Sequence, residues 1–149
     1  MTDAGTRRII LDTNWYVSAS INRKARRLLY ETFVKSPFLT VFYSVELMAE
    51  YERVIVRKKF AKYIRPEQAR RFLGFLLPKL VRTDSLPVEG VRDETDNYLI
   101  GMCRACQADF LITGDDDLLA MGTFEQTTIL RMSEFLQILP QLSSGLRAQ

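Results

Sequence analysis

With 149 residues, 47% of them hydrophobic and 26% charged, the chain suits one domain with its own core and is neither disordered nor fibrous in composition. It has no histidine and two cysteines, Cys103 and Cys106. That removes Ser-His-Asp hydrolysis, histidine general bases, His-bearing zinc sites and a secreted disulfide scaffold. Carboxylates, hydroxyls, lysine or a hard metal ion are left to carry any chemistry. The formal charge of +3 divides sharply: residues 1–82 hold 17 Lys and Arg against 7 Asp and Glu, and residues 83–149 hold 4 against 11. One face thus suits a polyanion, and an acidic patch elsewhere suits cations. No apolar run approaches the roughly 18 residues of a membrane span and no signal-peptide apolar region opens the chain, so a soluble, cytoplasmic domain is expected.

A disordered N-terminus is expected over 1–6, the folded domain over 7–139 and a frayed tail over 140–149. Arg7 to Asp12, with Ile9, Ile10 and Leu11 consecutive, reads as a short strand buried on both faces. Thr13-Asn14 then opens a turn, and a helix is expected from about Arg23 to Val34, stopped by Ser36-Pro37. Thr40 to Tyr43 is a second strand. Ser44 caps a helix over about 45–59 with Val45, Met48, Tyr51 and Ile55 on its apolar stripe. Pro66 starts a further helix, and Thr83 to Gly90 is a loop. An apolar helix over about 93–107 leads to a strand at Phe110 to Thr113. A last strand at Thr128 to Leu130 precedes a short helix capped by Ser133. Short buried strands alternating with helices imply a three-layer α/β/α architecture around a mainly parallel sheet. Parallel crossovers gather the strand C-termini on one edge, where such sheets bind ligands. Two strands end there in acids, Leu11-Asp12 and Thr113-Gly114-Asp115.

Each acid has a plain structural reading beside the functional one. Asp12 is either a cap for the following segment or a site carboxylate. Asp115, Asp116 and Asp117 repel one another unless cations or donors compensate; they form either a solvated loop or part of a site. Asp93 and Asp96 sit at N-cap and N3 of a helix, which needs no metal, while Asp96 is also placed to face the sheet edge. Glu46 and Glu50 share a helix face. The helix terminus accounts for Glu46, whereas Glu50 lies beyond it among apolar positions. Cys103 and Cys106 fall near the far end of an apolar helix, where core packing explains them better than redox chemistry. The run of Arg53, Arg57, Lys58, Lys59, Lys62, Arg65, Arg70 and Arg71, interleaved with Phe60 and Tyr63, is either a solvated face or a nucleic-acid surface.

Four stretches occur in a telling order: Leu11-Asp12-Thr13-Asn14, the acidic helix after Tyr43-Ser44, Arg92-Asp93-Glu94-Thr95-Asp96-Asn97, and Thr113-Gly114-Asp115-Asp116-Asp117-Leu118-Leu119. Together they resemble the PIN-domain family, in particular its bacterial group of toxin components from toxin–antitoxin systems, over about residues 7–139. The resemblance implies a five-stranded parallel sheet and a Mg²⁺- or Mn²⁺-dependent endoribonuclease that cuts single-stranded RNA. It places the catalytic acids on Asp12, Glu50, Asp96 and Asp115, and the metal ligands on Asp12, Asp96, Asp115 and Asp117. Asn14, Thr113 and Asp93 fall in supporting positions. From the basic stretch itself, Arg57, Lys58 and Lys59 are the expected RNA-binding surface. A small antitoxin protein and a homo-oligomer are the implied partners, with no membrane. Trp15-Tyr16 departs from the family, which has small or aliphatic residues there; the two rings either narrow the groove or stack a base.

A His-free acidic cluster suits a hard divalent ion, which prefers carboxylate oxygens. Two other readings compete. An Asp-based phosphatase or phosphoacceptor also places an Asp after the first strand, but position 14 is Asn where one such class needs a second Asp. An inactive RNA- or protein-binding module would keep the fold without turnover, against which the full acid set argues.

Overall fold

The computed structural model describes residues 5–89 and 94–147, apart from the side chains of 94–97 and 143–147. Strands β1 (Arg7–Leu11), β2 (Leu39–Tyr43), β3 (Val81–Arg82), β4 (Phe110–Ile112), β5 (Thr123–Phe124) and β6 (Thr127–Leu130) make one sheet in the order β3-β2-β1-β4-β6-β5. All pairs are parallel except the edge pair β5–β6. The sheet therefore has six strands where five parallel ones were expected. β3 and β5, absent from the four strands read from the residues, are two residues long, too short to leave a periodic signal.

β1 is central and dry: Ile9, Ile10 and Leu11 are at most 1% exposed. Helices on both faces cause this, since an apolar run with no alternation requires cover on two sides. From β1 the chain steps outward through β2 to β3, then returns to the other side of β1 as β4 and β6. The order thus reverses between β1 and β4, at the C-terminal ends of both. That crevice is where open parallel sheets bind ligands.

Helix α1 (Thr13–Ile21) starts at once after β1, where a turn was expected. Its β-branched and aromatic residues are poor helix formers, and burial of Thr13, Tyr16, Val17, Ala19 and Ser20 overrides them. Asn22 caps the next helix, α2 (Arg23–Leu28), which runs on as a π-helical stretch over Leu29–Val34. Ser44 Oγ accepts from Leu47 N at 3.1 Å and opens α3 (Val45–Ile55). This helix stops at Ile55, short of residue 59, at the β-branched run Val54-Ile55-Val56; a 3-10 turn at Lys58–Phe60 follows. The expected stripe is corrected at one place: Val45 is 57% exposed, and Leu47 and Val54 are buried in line with Met48, Tyr51 and Ile55.

Helix α4 (Pro66–Leu76) buries Ala69, Leu73 and Leu76. Helix α5 (Glu94–Cys106) brings Leu99, Ile100, Met102, Cys103 and Cys106 into the core. Burial pushes the thiols of Cys103 and Cys106 up to about 12 and about 11, so both cysteines pack as inert apolar groups. Helix α6 (Asp116–Met121) follows β4. Helix α7 (Met132–Arg147) runs past Pro140, where a frayed tail was expected. Ser133 lies inside its first turn, and Glu134 accepts from Arg131 N at 2.9 Å in the capping role expected of Ser133. Phe135 of α7 packs on Phe33 and Phe110 with ring centroids 5.5 and 5.3 Å apart, tying the C-terminal helix to the sheet. At the other end, Thr6 Oγ1 is 2.7 Å from Thr40 Oγ1; the rest of the expected disordered stretch, residues 1–4, lies outside the described residues.

Candidate active site

The pairing of β1 with β4 sets the site. Leu11 faces Ile112 in register, and Asp12 N continues the ladder to Ile112 O at 3.1 Å. The next residues, Asp12 and Thr113, are therefore neighbours, and Thr113 Oγ1 donates to Asp12 Oδ2 at 2.5 Å. The same hydroxyl oxygen accepts from Asp115 N at 3.1 Å. One buried threonine, 1% exposed, thus locks the two strand ends together.

Asp12 is also the N-cap of α1: its Oδ1 accepts from Asn14 N at 2.9 Å. The capping reading and the site reading are hence the same residue, one carboxylate oxygen serving the helix and the other held by Thr113. Asp12 is only 6% exposed. Burial raises its pKa, aided by the charge of Asp115 and opposed by Thr113 and the backbone N–H groups of Asn14 and Gly114. Among the described residues no basic side chain pairs with Asp12, so its charge is compensated by hydrogen-bond donors alone.

Asp115 caps α6 with one oxygen, Oδ1, which accepts from Asp117 N at 2.8 Å and Leu118 N at 3.3 Å. Glu50 comes from α3. Its Cα direction lies about 100° from the centre of that helix's buried stripe, against about 140° for Glu46, from 100° per residue. Glu50 accordingly sits at the core boundary with its side chain 20% exposed and paired to Arg53, while Glu46 is exposed.

Asp12, Glu50 and Asp115 line one cavity of about 120 Å³ together with Thr13, Asn14, Val54, Tyr98 and Leu99. Three carboxylates from three separate elements thus face one space at the crevice between β1 and β4. Among the described residues, no three acidic side chains are gathered tightly enough to hold an ion as they stand; Glu50 is turned to Arg53. The donor set is nonetheless all oxygen, with Asn14 and Thr13 beside the acids, which fits a hard divalent ion rather than a soft one.

Other expected positions fall elsewhere. Asp116 and Asp117 are exposed on α6 and do not line the cavity. Asp93 lies outside the described residues, as does the side chain of Asp96. Neither Trp15 nor Tyr16 lines the acidic cavity. Tyr16 is fully buried, and Trp15 lines a different hollow with Leu28 and Leu136. Tyr98, which was not singled out, belongs to the site: its hydroxyl is 3.0 Å from Thr13 Oγ1. In sequence it is one more apolar-helix aromatic, with nothing to mark it. Arg57, Lys58 and Lys59 are exposed after α3.

A doubly wound α/β protein with carboxylates at its switch point belongs to the class that binds ligands at the strand C-termini. More narrowly, the PIN domain profile matches residues 8–117, and the chain belongs to that family. In fold it is similar to a chain of VapBC2 from Rickettsia felis, solved bound to a DNA fragment from their promoter, with a TM-score of 0.53 and 16% identity over 82% of this chain and 96% of that one. It is similar also to PAE2754 from Pyrobaculum aerophilum, with a TM-score of 0.53 and 15% identity over 97% and 92% of the two chains. No curated protein matches the chain. Among the described residues no helix is long and apolar enough to cross a membrane.

Proposed function

We propose that the protein is a Mg²⁺- or Mn²⁺-dependent endoribonuclease that hydrolyses single-stranded RNA, acting as the toxin of a toxin–antitoxin pair in the cytoplasm. The observation that carries this is the cavity shared by Asp12, Glu50 and Asp115, with membership of the PIN-domain family as its context. Asp12, Glu50 and Asp115 would hold the ion, with Asp96 and Asp117 as further candidate ligands. When bound, such an ion lowers the pKa of water and stabilises charge on phosphoryl oxygens.

The chain's own residues supply positioning. Thr113 fixes Asp12 through Oδ2 and receives Asp115 N, so one hydroxyl positions both residues. Asn14, exposed at the cavity wall, is placed to donate to a phosphate or a water. Arg53 pairs with Glu50 and would have to release it for Glu50 to hold an ion. Arg57, Lys58 and Lys59 present charge for the RNA backbone. The likeness to a VapBC2 chain supports a small antitoxin partner; a homo-oligomer is proposed on the family resemblance.

The test is cleavage of an end-labelled single-stranded RNA with Mg²⁺, with Mn²⁺ and with excess chelator. Internal cuts that need either ion are expected. Undiminished cleavage in chelator would sink the reading.

A further inference from the structure

A second hollow, of about 450 Å³, lies away from the acids, where the C-terminal end of α1 meets α2 with its π-helical extension, the segment after the 3-10 turn, and α4. Its volume falls within the roughly 300–1,000 Å³ of small-ligand sites. It is lined by Arg26 and Tyr30 on one side, and by Tyr63, Gln68, Arg71 and Phe75 on the other, with no acid among its lining residues. Neither Arg26 nor Arg71 forms an ion pair among the described residues. Arg26 is held in place by Ala19 O at 3.5 Å. Tyr63 and Phe75 both line the hollow and are 59% and 66% exposed. Lys62 Nζ already lies 5.2 Å from the Tyr63 ring centroid. Arg71 and Phe75, four apart on α4, share one helix face.

Unpaired guanidinium groups beside exposed rings are the two halves of single-strand recognition: cations for phosphate, π-faces for bases of any identity. The hollow lies at the far end of α1 from the acids. Asp12 caps one end of α1 and Ser20 of its last turn lines the hollow, about 12 Å away at 1.5 Å per residue. The exposed Lys58, Lys59 and Lys62 stand on the connection that carries Tyr63. We propose that this hollow is a nucleotide exosite for the RNA substrate, stacking a base on Tyr63 and Phe75 and holding the adjoining phosphate with Arg26 and Arg71. The inference rests on the ribonuclease reading above and specifies how that substrate is gripped outside the point of cleavage.

The experiment is fluorescence anisotropy of a labelled, unstructured twelve-residue RNA binding to the full chain in excess chelator. A strand of the same length whose central residues lack bases serves as its comparison. Tyr63→Ala/Phe75→Ala should weaken binding of the intact RNA by about tenfold or more and leave the base-less strand within twofold. Arg26→Gln/Arg71→Gln should weaken both strands and flatten the slope of log K against log salt by about 1.4, at about 0.7 per phosphate for single strands. Lys58→Gln/Lys59→Gln, as control, should weaken both strands alike. An aromatic-pair variant that binds the intact RNA within twofold of the parent overturns the proposal. So does an equal loss on both strands, which would mean a damaged fold. RNA binding unchanged in both the aromatic and arginine pairs would also overturn it, leaving the hollow to a protein segment. Adding Mg²⁺ to the parent then tests cleavage separately: uncut RNA alongside base-dependent binding would remove the nuclease reading and leave the exosite.

Discussion

Replacing Asp12 by Asn separates the electrostatic cost of the site from its architecture. In the metal-free fold, burial and the charge of Asp115 hold the Asp12 carboxyl above its ordinary value of 3.8. A raised folded pKa means the native state binds the proton more tightly than the unfolded chain. Stability therefore falls as pH rises from 3.8 through the folded value, and the cost is fully present once the buried carboxylate is ionised. Asparagine removes that cost and keeps an oxygen for Asn14 N, retaining about 1 kcal/mol of capping that alanine loses. It reverses the Thr113 contact, because an amide donates where the carboxylate accepted, at a cost of about 1 kcal/mol when the hydroxyl cannot fully reorient. Alanine loses both contacts. Asp12→Asn should therefore melt above Asp12→Ala by about 1–2 kcal/mol, roughly 3–6 °C for a chain of this size. It should also match or exceed the parent at pH 7.5 in chelator. Thermal melts taken stepwise downward from pH 7.5 read this directly: the margin over the parent should shrink as the parent's Asp12 takes up its proton. A margin that widens at low pH, or an alanine variant more stable than asparagine, would refute the reasoning.

Thr113→Val leaves a buried Asp12 oxygen and Asp115 N without their partner; a loss of about 1–3 kcal/mol is expected by denaturant titration, with Thr113→Ser restoring most of it. Gly101→Ala places a Cβ 2.3 Å from Leu86 O and 2.4 Å from Ser85 Oγ. Since a backbone oxygen cannot step aside cheaply, about 1–3 kcal/mol of destabilisation should appear in the same titration. Glu50→Gln should lower metal-dependent single-turnover cleavage by more than about tenfold, and Glu46→Gln by less than about twofold. The reverse order would move the α3 ligand one turn toward the N-terminus.

The parts of the fold that carry long apolar signals were legible from sequence. β1 with Ile9, Ile10 and Leu11 and the apolar α5 bury what their patterns predict, and so does the stripe of α3 at Met48, Tyr51 and Ile55. The missed parts obey tertiary rather than local rules. α1 opens with Thr13, Trp15, Tyr16 and Val17, whose propensities argue against a helix, and burial against the sheet overrides them. β3 and β5 are pairs of residues recruited by existing strand edges. At the site, the meeting of Asp12 and Asp115 follows from two strands ending in acids, a one-dimensional signal. Separating Glu50 from Glu46 needed the phase of α3, which Val45 obscures by looking apolar while standing exposed. Tyr98 and the Arg26–Phe75 hollow join residues from distant segments that no spacing connects.

The central claim is that Asp12, Glu50 and Asp115 form one metal-dependent site. The most direct measurement is single-turnover cleavage of a labelled single-stranded RNA in saturating Mn²⁺ by the parent and by Asp12→Asn, Glu50→Gln and Asp115→Asn, each confirmed folded by its melt. All three variants should lose at least about 100-fold, and pairs of substitutions should lose little more than singles, because residues that act as a unit are not additive. Parent-like cleavage by any one of them, or losses that multiply in the double variants, would contradict a shared site.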